Sequence, residues 1–189
     1  MTNILTTDKL IEALSTSRTE GFIDRLSLTL KEQHFNINSL IDLTFHPDTQ
    51  IAFRAAWLLD TTVLAKPEDY VNNLEYFIKR MEEVTNASCK RHYARIMMHL
   101  TDPKTPKSVR QKLAAIDMET VVEQCFDWMI DPKVKVAVKV FAANTLFNLH
   151  GRYDWIKEEL ISQVQFMMRD GGAAIQSRGK KLLALLEAV

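Results

Sequence analysis

Four short stretches with the same kind of ending decide how this chain is organised. They are Ile51-Ala52-Phe53-Arg54, His92-Tyr93-Ala94-Arg95, Val136-Ala137-Val138-Lys139 and Ile175-Gln176-Ser177-Arg178. Their final cations follow one another at intervals of 41, 44 and 39 residues. Each stretch lies in the first part of a predicted helix, and a separate amphipathic helix precedes it. The spacing therefore indicates an internal repeat of one helix pair, in which neighbouring pairs stack to bury their apolar faces.

Apolar residues at helical spacing surround these stretches. One wide stripe consists of Tyr70, Val71, Leu74, Phe77, Ile78 and Met81, and similar stripes run through Val121–Met129 and Ile156–Met168. Eleven helices are predicted, starting near residues 7, 22, 37, 49, 67, 87, 106, 118, 132, 153 and 173. Val134–Val140 alternates with the period of a strand. We assign it to a helix, because helical spacing continues after it and no partner strand is found.

The length of the repeat points to a fold. A two-helix unit recurring every ~40–47 residues is typical of HEAT and armadillo repeats. The chain thus resembles a HEAT/armadillo-like solenoid, an all-α fold in which helix pairs form a right-handed α-α superhelix. We predict one domain over 1–189, with cap helices in 1–34 and about four pairs in 35–189. In this fold the second helix of each pair lines the concave side.

A narrower resemblance lies in Val121–Asp131 and Gly151–Leu160. Its matching residues are Cys125, Phe126, Asp127, Trp128, Tyr153, Asp154, Trp155 and Ile156. They resemble a family of short bacterial HEAT-like proteins, some of which carry the name adenylosuccinate lyase by automatic transfer. Lyases of that superfamily are much longer, tetrameric, and carry the loop signature S-S-x-M-P-x-K-x-N. That signature is absent from this sequence, so we expect no lyase activity.

No motif in the sequence points to catalysis or a cofactor. It contains no G-x-S-x-G, P-loop, G-x-G-x-x-G or H-E-x-x-H motif. Cys89 and His92, with His99 two turns on, could begin a zinc site, but such a site needs three or four ligands. The other histidines are in three different segments. We therefore interpret Cys89 and Cys125 as core residues, and predict a non-enzymatic protein with no metal.

Composition limits the class further. The 189 residues are 47% apolar and carry 24 basic and 24 acidic side chains, which excludes overall disorder. The longest apolar runs have five residues, too few for a membrane span. Two cysteines and an N-terminus without a basic flank and apolar run predict a cytoplasmic location.

Positive charge is concentrated in one segment. Residues 87–115 hold 7 basic side chains and 1 acidic one. The cations are Lys90, Arg91, Lys104, Lys107, Arg110 and Lys112, which we call the basic block, together with Arg95. Such a patch can attract phosphate or an acidic segment. The neutral pI and the lack of interleaved aromatic residues argue against nucleic acid as the main ligand.

The four cations that end the repeated stretches form a second candidate site. We call Arg54, Arg95, Lys139 and Arg178 the cation ladder. On a concave surface they could bind an extended acidic peptide, with Trp57 beside them. Alternatively, each cation pairs with an aspartate of a neighbouring turn and holds adjacent repeats in register. Trp128 and Trp155 lie on apolar stripes and are expected in the core.

Two functions follow from these patterns. The first is a protein-interaction or scaffold module that binds a protein partner of unknown identity on its concave face. The alternative is a nucleic-acid-binding protein resembling the HEAT-like alkylpurine DNA glycosylases. Those enzymes hold DNA in a basic groove with aromatic and acidic residues, and the pairs Asp127/Trp128 and Asp154/Trp155 match them in residue type only.

Overall fold

The fold is built entirely from helices in the part of the chain that the computed structural model describes, residues 4–16 and 21–188. The eleven α-helices are α1 (Thr7–Thr16), α2 (Phe22–Glu32), α3 (Ile37–Leu43), α4 (Thr49–Ala65), α5 (Leu74–Met81), α6 (Ala87–Thr101), α7 (Lys107–Ala114), α8 (Glu119–Ile130), α9 (Val136–Leu149), α10 (Ile156–Arg169) and α11 (Ala173–Glu187). A 3₁₀ helix, Pro67–Asn73, precedes α5. The predicted all-α class and the helix number are confirmed.

The repeated stretches lie on α4, α6, α9 and α11, and each of these follows a separate helix: α3, α5, α8 and α10. The helix order expected of paired repeats is therefore present, while the grouping into four pairs remains a prediction. Helix α7 lies between α6 and α8, outside this pattern.

The fifth helix differs from the prediction. A continuous helix was expected from residue 67, but the first turns are 3₁₀ and the α-helix begins only at Leu74. Tyr70 has φ −116° and ψ 15°, which interrupts the regular backbone. Leu74, Phe77, Ile78 and Met81 are buried as the stripe predicted, whereas none of the residues of the 3₁₀ helix is.

The ninth helix begins four residues later than predicted. Residues before it form a turn in which the Asp131 carboxylate accepts a hydrogen bond from the Lys133 N–H at 2.8 Å. The Val134–Val140 segment, whose alternation resembled a strand, is helical from Val136 onwards. The assignment to a helix is therefore confirmed for most of that segment.

Short polar side chains start several of the helices. The oxygens of Asn36, Asp48 and Asn86 accept hydrogen bonds from the backbone N–H groups two residues on, at 2.8–2.9 Å. These N–H groups have no partner inside their own helix, so a side-chain cap stabilises the first turn by about 1 kcal/mol. Asp48 thus marks the turn between α3 and α4.

The chain divides into two compact units, Met1–Ile96 and Met97–Val189, which we call the N-terminal and the C-terminal unit. In the N-terminal unit α4 packs against α1, α2 and α3. Ala52, Ala55 and Ala56 of α4 are almost fully buried. Their small side chains let the neighbouring helices approach closely. The predicted single domain remains a prediction.

In the C-terminal unit α9 is central, because it packs against α8, α10 and α11. Helices α10 and α11 also contact each other. Their contact is close at Gly179, where an added Cβ would lie 2.7 Å from the Cγ of Met168. A side chain at this position would push against α10.

Candidate partner-binding site: the cation ladder and a cavity beside it

Arg54, the first cation of the ladder, is bound to the end of another helix. Its Nη1 donates hydrogen bonds to the carbonyl oxygens of Leu14 and Ser15, the latter at 3.2 Å. These carbonyls lie in the last turn of α1, where helix carbonyls have no internal partner and the helix dipole is negative. Arg54 therefore caps α1 and joins it to α4.

Arg95 binds a buried carboxylate. Its Nη1 lies 2.7 Å from Oδ2 of Asp60, whose side chain is only 1% exposed. The Nδ1 of His92 contacts the same oxygen at 2.9 Å, while Oδ1 of Asp60 is buried without a hydrogen-bond partner among the described residues. Asp60 belongs to α4 and both partners to α6, so this cluster joins the second helices of two successive pairs. The structural alternative described above expected an aspartate of a neighbouring turn, whereas the aspartate found here lies inside α4.

Lys139 also binds a helix end. Its Nζ donates to the carbonyl oxygen of Met129 at 2.8 Å, in the last turn of α8. Partial burial lowers the pKa of Lys139, and the nearby Asp131 carboxylate acts in the opposite direction. The contact links the two helices of one pair.

Arg178 is the exception in the ladder. It is exposed on α11 and makes no hydrogen bond or ion pair within the part of the chain that the structure describes. Together with Lys139 it borders a cavity between α9, α10 and α11. The structure thus brings together two of the four ladder residues at one site, inside the C-terminal unit.

The cavity is small and mostly apolar, with a volume of about 80 Å³. Its apolar lining consists of Val140, Ala143, Val164, Met167, Ile175, Gly179, Leu182 and Leu185. The polar lining consists of Lys139, Asn144, Arg178 and Lys181. No carboxylate is among these residues, so the charges around the cavity are all positive.

The three tryptophans differ in their exposure. Trp128 is buried, as expected. Trp155 is 47% exposed, and the expectation that it belongs to the core was wrong. It precedes α10 and stacks on Phe126, with ring centroids 5.6 Å apart. Trp57 is 45% exposed and lies beside Phe53, with ring centroids 6.1 Å apart. It therefore remains available to a partner of the N-terminal unit.

The basic block is divided between the two units. Lys90 and Arg91 belong to the N-terminal unit, and Lys104, Lys107, Arg110 and Lys112 to the C-terminal unit. Arg110 donates from Nε to the Thr105 carbonyl at 3.1 Å, within the turn that leads into α7. Arg91, Lys104, Lys107 and Arg110 are all exposed. The role of the basic block as a binding patch remains a prediction.

Neither cysteine has the environment of a nucleophile. Burial raises the pKa of Cys89 to about 11 and that of Cys125 to about 12. The thiolate is the reactive form, so the raised pKa values disfavour reaction of either thiol at neutral pH in the folded chain. The Cys89 sulfur lies 3.6 Å from the Thr44 carbonyl oxygen. His92, which could have formed a zinc site with Cys89, is bound to Asp60 instead.

Two further observations describe the part of the chain that the structure covers. Its His, Cys, Asp and Glu side chains form no group of three or more that could hold a metal ion. None of its helices has the length and apolar character needed to cross a membrane.

Sequence reasoning missed two features of this site. The first is Asp60, whose signal was a carboxylate directly after the apolar run Ala55–Leu59. A charge in that place requires a buried partner. The second is the cavity, since Asn144, Met167 and Leu185 come together only through the packing of three helices.

Comparison with known proteins gives one result. A family model described as a HEAT repeat domain matches residues 10–185. No curated protein and no solved structure matches the chain.

Proposed function

The chain belongs to the HEAT repeat domain family, and from this premise we propose that it is a non-enzymatic interaction module. It binds a partner protein on a surface formed by the second helices of its pairs. HEAT repeats commonly mediate contacts between proteins, because stacked helix pairs present an extended surface. The family assignment supplies the mode of binding, whereas the partner has to be recognised by the side chains of this chain.

The observation that carries this proposal is the contrast within the cation ladder. Three of its cations are held by contacts inside the protein, while Arg178 is exposed, has no partner among the residues that the structure describes, and borders an apolar cavity on α9 and α11. A free cation next to an apolar recess is a suitable contact for a partner that combines acidic and apolar residues. Among the four cations of the ladder, we therefore assign partner binding to Arg178.

The test is an affinity capture from a lysate of the source cells. It uses three purified chains: wild type, Arg178→Ala and Lys180→Ala. Lys180 is an exposed cation on the same helix that does not line the cavity, so it controls for a general loss of positive charge. We expect a stoichiometric protein partner that wild type and Lys180→Ala retain and Arg178→Ala loses. If no chain captures a protein, or a purified chain turns over a substrate at an ordinary enzymatic rate, the proposal is wrong.

A nucleic-acid ligand is the alternative that the exposed cations of the basic block would serve. It predicts a salt-dependent shift of labelled duplex DNA at about 50 mM salt. Charge reversal at Lys104 and Lys107 would abolish that shift. Absence of a shift at this salt concentration removes the alternative.

A further inference from the structure

The cavity of the C-terminal unit has the size of one side chain. Sites for drug-sized molecules have volumes of roughly 300–1,000 Å³, several times the 80 Å³ found here. A cavity of about 150 Å³ lined by aliphatic and aromatic residues holds one benzene. The cavity between α9, α10 and α11 is therefore suited to a branched aliphatic side chain, and is too small for an aromatic ring system or a free cofactor.

The lining gives the cavity an apolar floor. Val164 and Leu182 are buried, and Met167 and Ile175 lie beside them. Leu185 is 42% exposed and extends the apolar surface outwards. At Gly179 the two helices are in close contact, because Met168 of α10 fills the space that a side chain would need. Water in such a recess finds few hydrogen-bond partners, so an aliphatic group replaces it favourably.

The border of the cavity is positively charged. Arg178 and Lys181 are both exposed on α11, and Lys139 lies across from them on α9. The Lys139 ammonium already donates to the Met129 carbonyl, which leaves Arg178 and Lys181 as the groups open to a ligand. Because no acidic residue lines the cavity, an anion brought to it would meet only cations among the charged lining residues.

We propose that this cavity is an anchor site for a short peptide segment of the partner, in which one Leu, Ile or Val side chain enters the cavity and flanking Asp or Glu residues bind Arg178 and Lys181. The inference rests on the proposed function, since it names the chemistry of the segment that the interaction surface takes. Charge complementarity selects an acidic segment over a basic or neutral one. The volume of the cavity limits the size of the side chain that can enter it.

The test uses capped peptides titrated into the ¹⁵N-labelled full chain and followed by NMR. The probe is Glu-Asp-Leu-Asp-Glu, and two matched controls each lack one element. Glu-Asp-Ser-Asp-Glu has no anchor, and Gln-Asn-Leu-Asn-Gln has no charge. We expect saturable shifts at the amides of Ile175, Leu182 and Leu185 with the probe, and an affinity at least about tenfold weaker for either control.

Variants of the protein assign the binding to the cavity. Arg178→Ala/Lys181→Ala should weaken binding of the probe about tenfold, while Lys180→Ala should change it less than about twofold. Val140→Phe places a larger side chain at the cavity and should reduce binding with the cations intact. All variants are first compared with wild type by circular dichroism. The two variants that remove cations change exposed residues only.

Three outcomes would overturn the inference: no saturable shift with the probe, equal affinity for the probe and its serine control, or full binding by Arg178→Ala/Lys181→Ala. The affinity capture distinguishes this failure from that of the proposed function. A partner still captured by Arg178→Ala/Lys181→Ala leaves the interaction module standing and moves its site elsewhere.

Discussion

The two units use the same repeat position in different ways. In the N-terminal unit Arg54 caps α1 and Arg95 binds the buried Asp60. In the C-terminal unit Lys139 likewise binds a helix end, whereas Arg178, which borders the same cavity, makes no hydrogen bond or ion pair with any residue that the structure describes. A repeat therefore fixes where a cation lies, whereas the acceptors offered by neighbouring helices decide whether it binds another helix.

The difference follows from what surrounds each cation. Asp60 is almost completely buried, and a buried carboxylate requires close cationic or hydrogen-bonding partners. The N-terminal unit thus constrains Arg95 and His92 through a single anion. The residues around the C-terminal cavity include no carboxylate, so nothing at this site fixes Arg178.

The largest expected effect concerns a feature that the two units share, one buried thiol each. Burial raises the pKa of Cys89 to about 11 and of Cys125 to about 12, from an ordinary value of 9.0. The folded chain keeps these protons above pH 9, where the unfolded chain releases them. Their contribution to stability is therefore complete below pH 9 and decreases as the pH rises towards 11 and 12.

We expect the two thiols alone to lower the free energy of unfolding by about 4 kcal/mol between pH 8 and pH 10.5, since each contributes about 1.4 kcal/mol per pH unit above pH 9. Urea unfolding followed by circular dichroism at both pH values measures this. The control is Cys89→Ala/Cys125→Ala, which should lose clearly less stability over the same range. Burial raises the pKa of Tyr93 as well, so the control should keep part of the decrease. Equal losses in the two proteins would contradict the assignment to the thiols.

The next effect tests the constrained side of the comparison. Asp60→Ala removes the anion that holds Arg95 and His92 and leaves a gap in a buried position. We expect it to lower the free energy of unfolding by about 3 kcal/mol in urea denaturation. Asp127→Ala, at an exposed site on α8, serves as the matched control and should change stability by less than about 0.5 kcal/mol. A loss below about 1 kcal/mol for Asp60→Ala would mean that Arg95 is not committed to the fold.

A smaller effect is expected at the helix-capping cations. Arg54→Met keeps the apolar stem but removes the hydrogen bonds to the end of α1. We expect a loss of about 1 kcal/mol, and a similar or smaller loss for Lys139→Met, which removes one hydrogen bond to the end of α8. Thermal unfolding of both variants beside wild type gives the measurement. If Arg54→Met unfolded at the same temperature as wild type, Arg54 would contribute as little to stability as we expect of Arg178.

The architecture was largely readable from the sequence, because helix starts and apolar stripes are local signals. The exceptions are also local in origin. The helical segment that starts at Pro67 opens with 3₁₀ turns, and the spacing of apolar residues does not distinguish these from an α-helix. Before Val136 a turn occupies the residues that were expected to open α9. Both differences move a boundary and leave the order of the helices unchanged.

The positions of the ladder were predictable, but their partners were not. Arg54 binds backbone carbonyls 39 and 40 residues away, and backbone atoms carry no signal in the sequence. The partner of Arg95 was expected among the aspartates of the turns, yet it is Asp60 inside α4. The cavity is lined by residues of three helices, so it emerges only from their packing.

The smallest expected effect tests the free end of the comparison. Because Arg178 is exposed and makes no hydrogen bond or ion pair within the described ranges 4–16 and 21–188, Arg178→Ala should change the free energy of unfolding by less than about 0.5 kcal/mol. Urea denaturation beside Lys180→Ala provides the measurement, and the two variants should agree. This near-zero result is what allows a loss of partner binding by Arg178→Ala to be attributed to a lost contact. A loss of 1 kcal/mol or more would place Arg178 with Arg54 and Arg95, and the contrast between the two units would disappear.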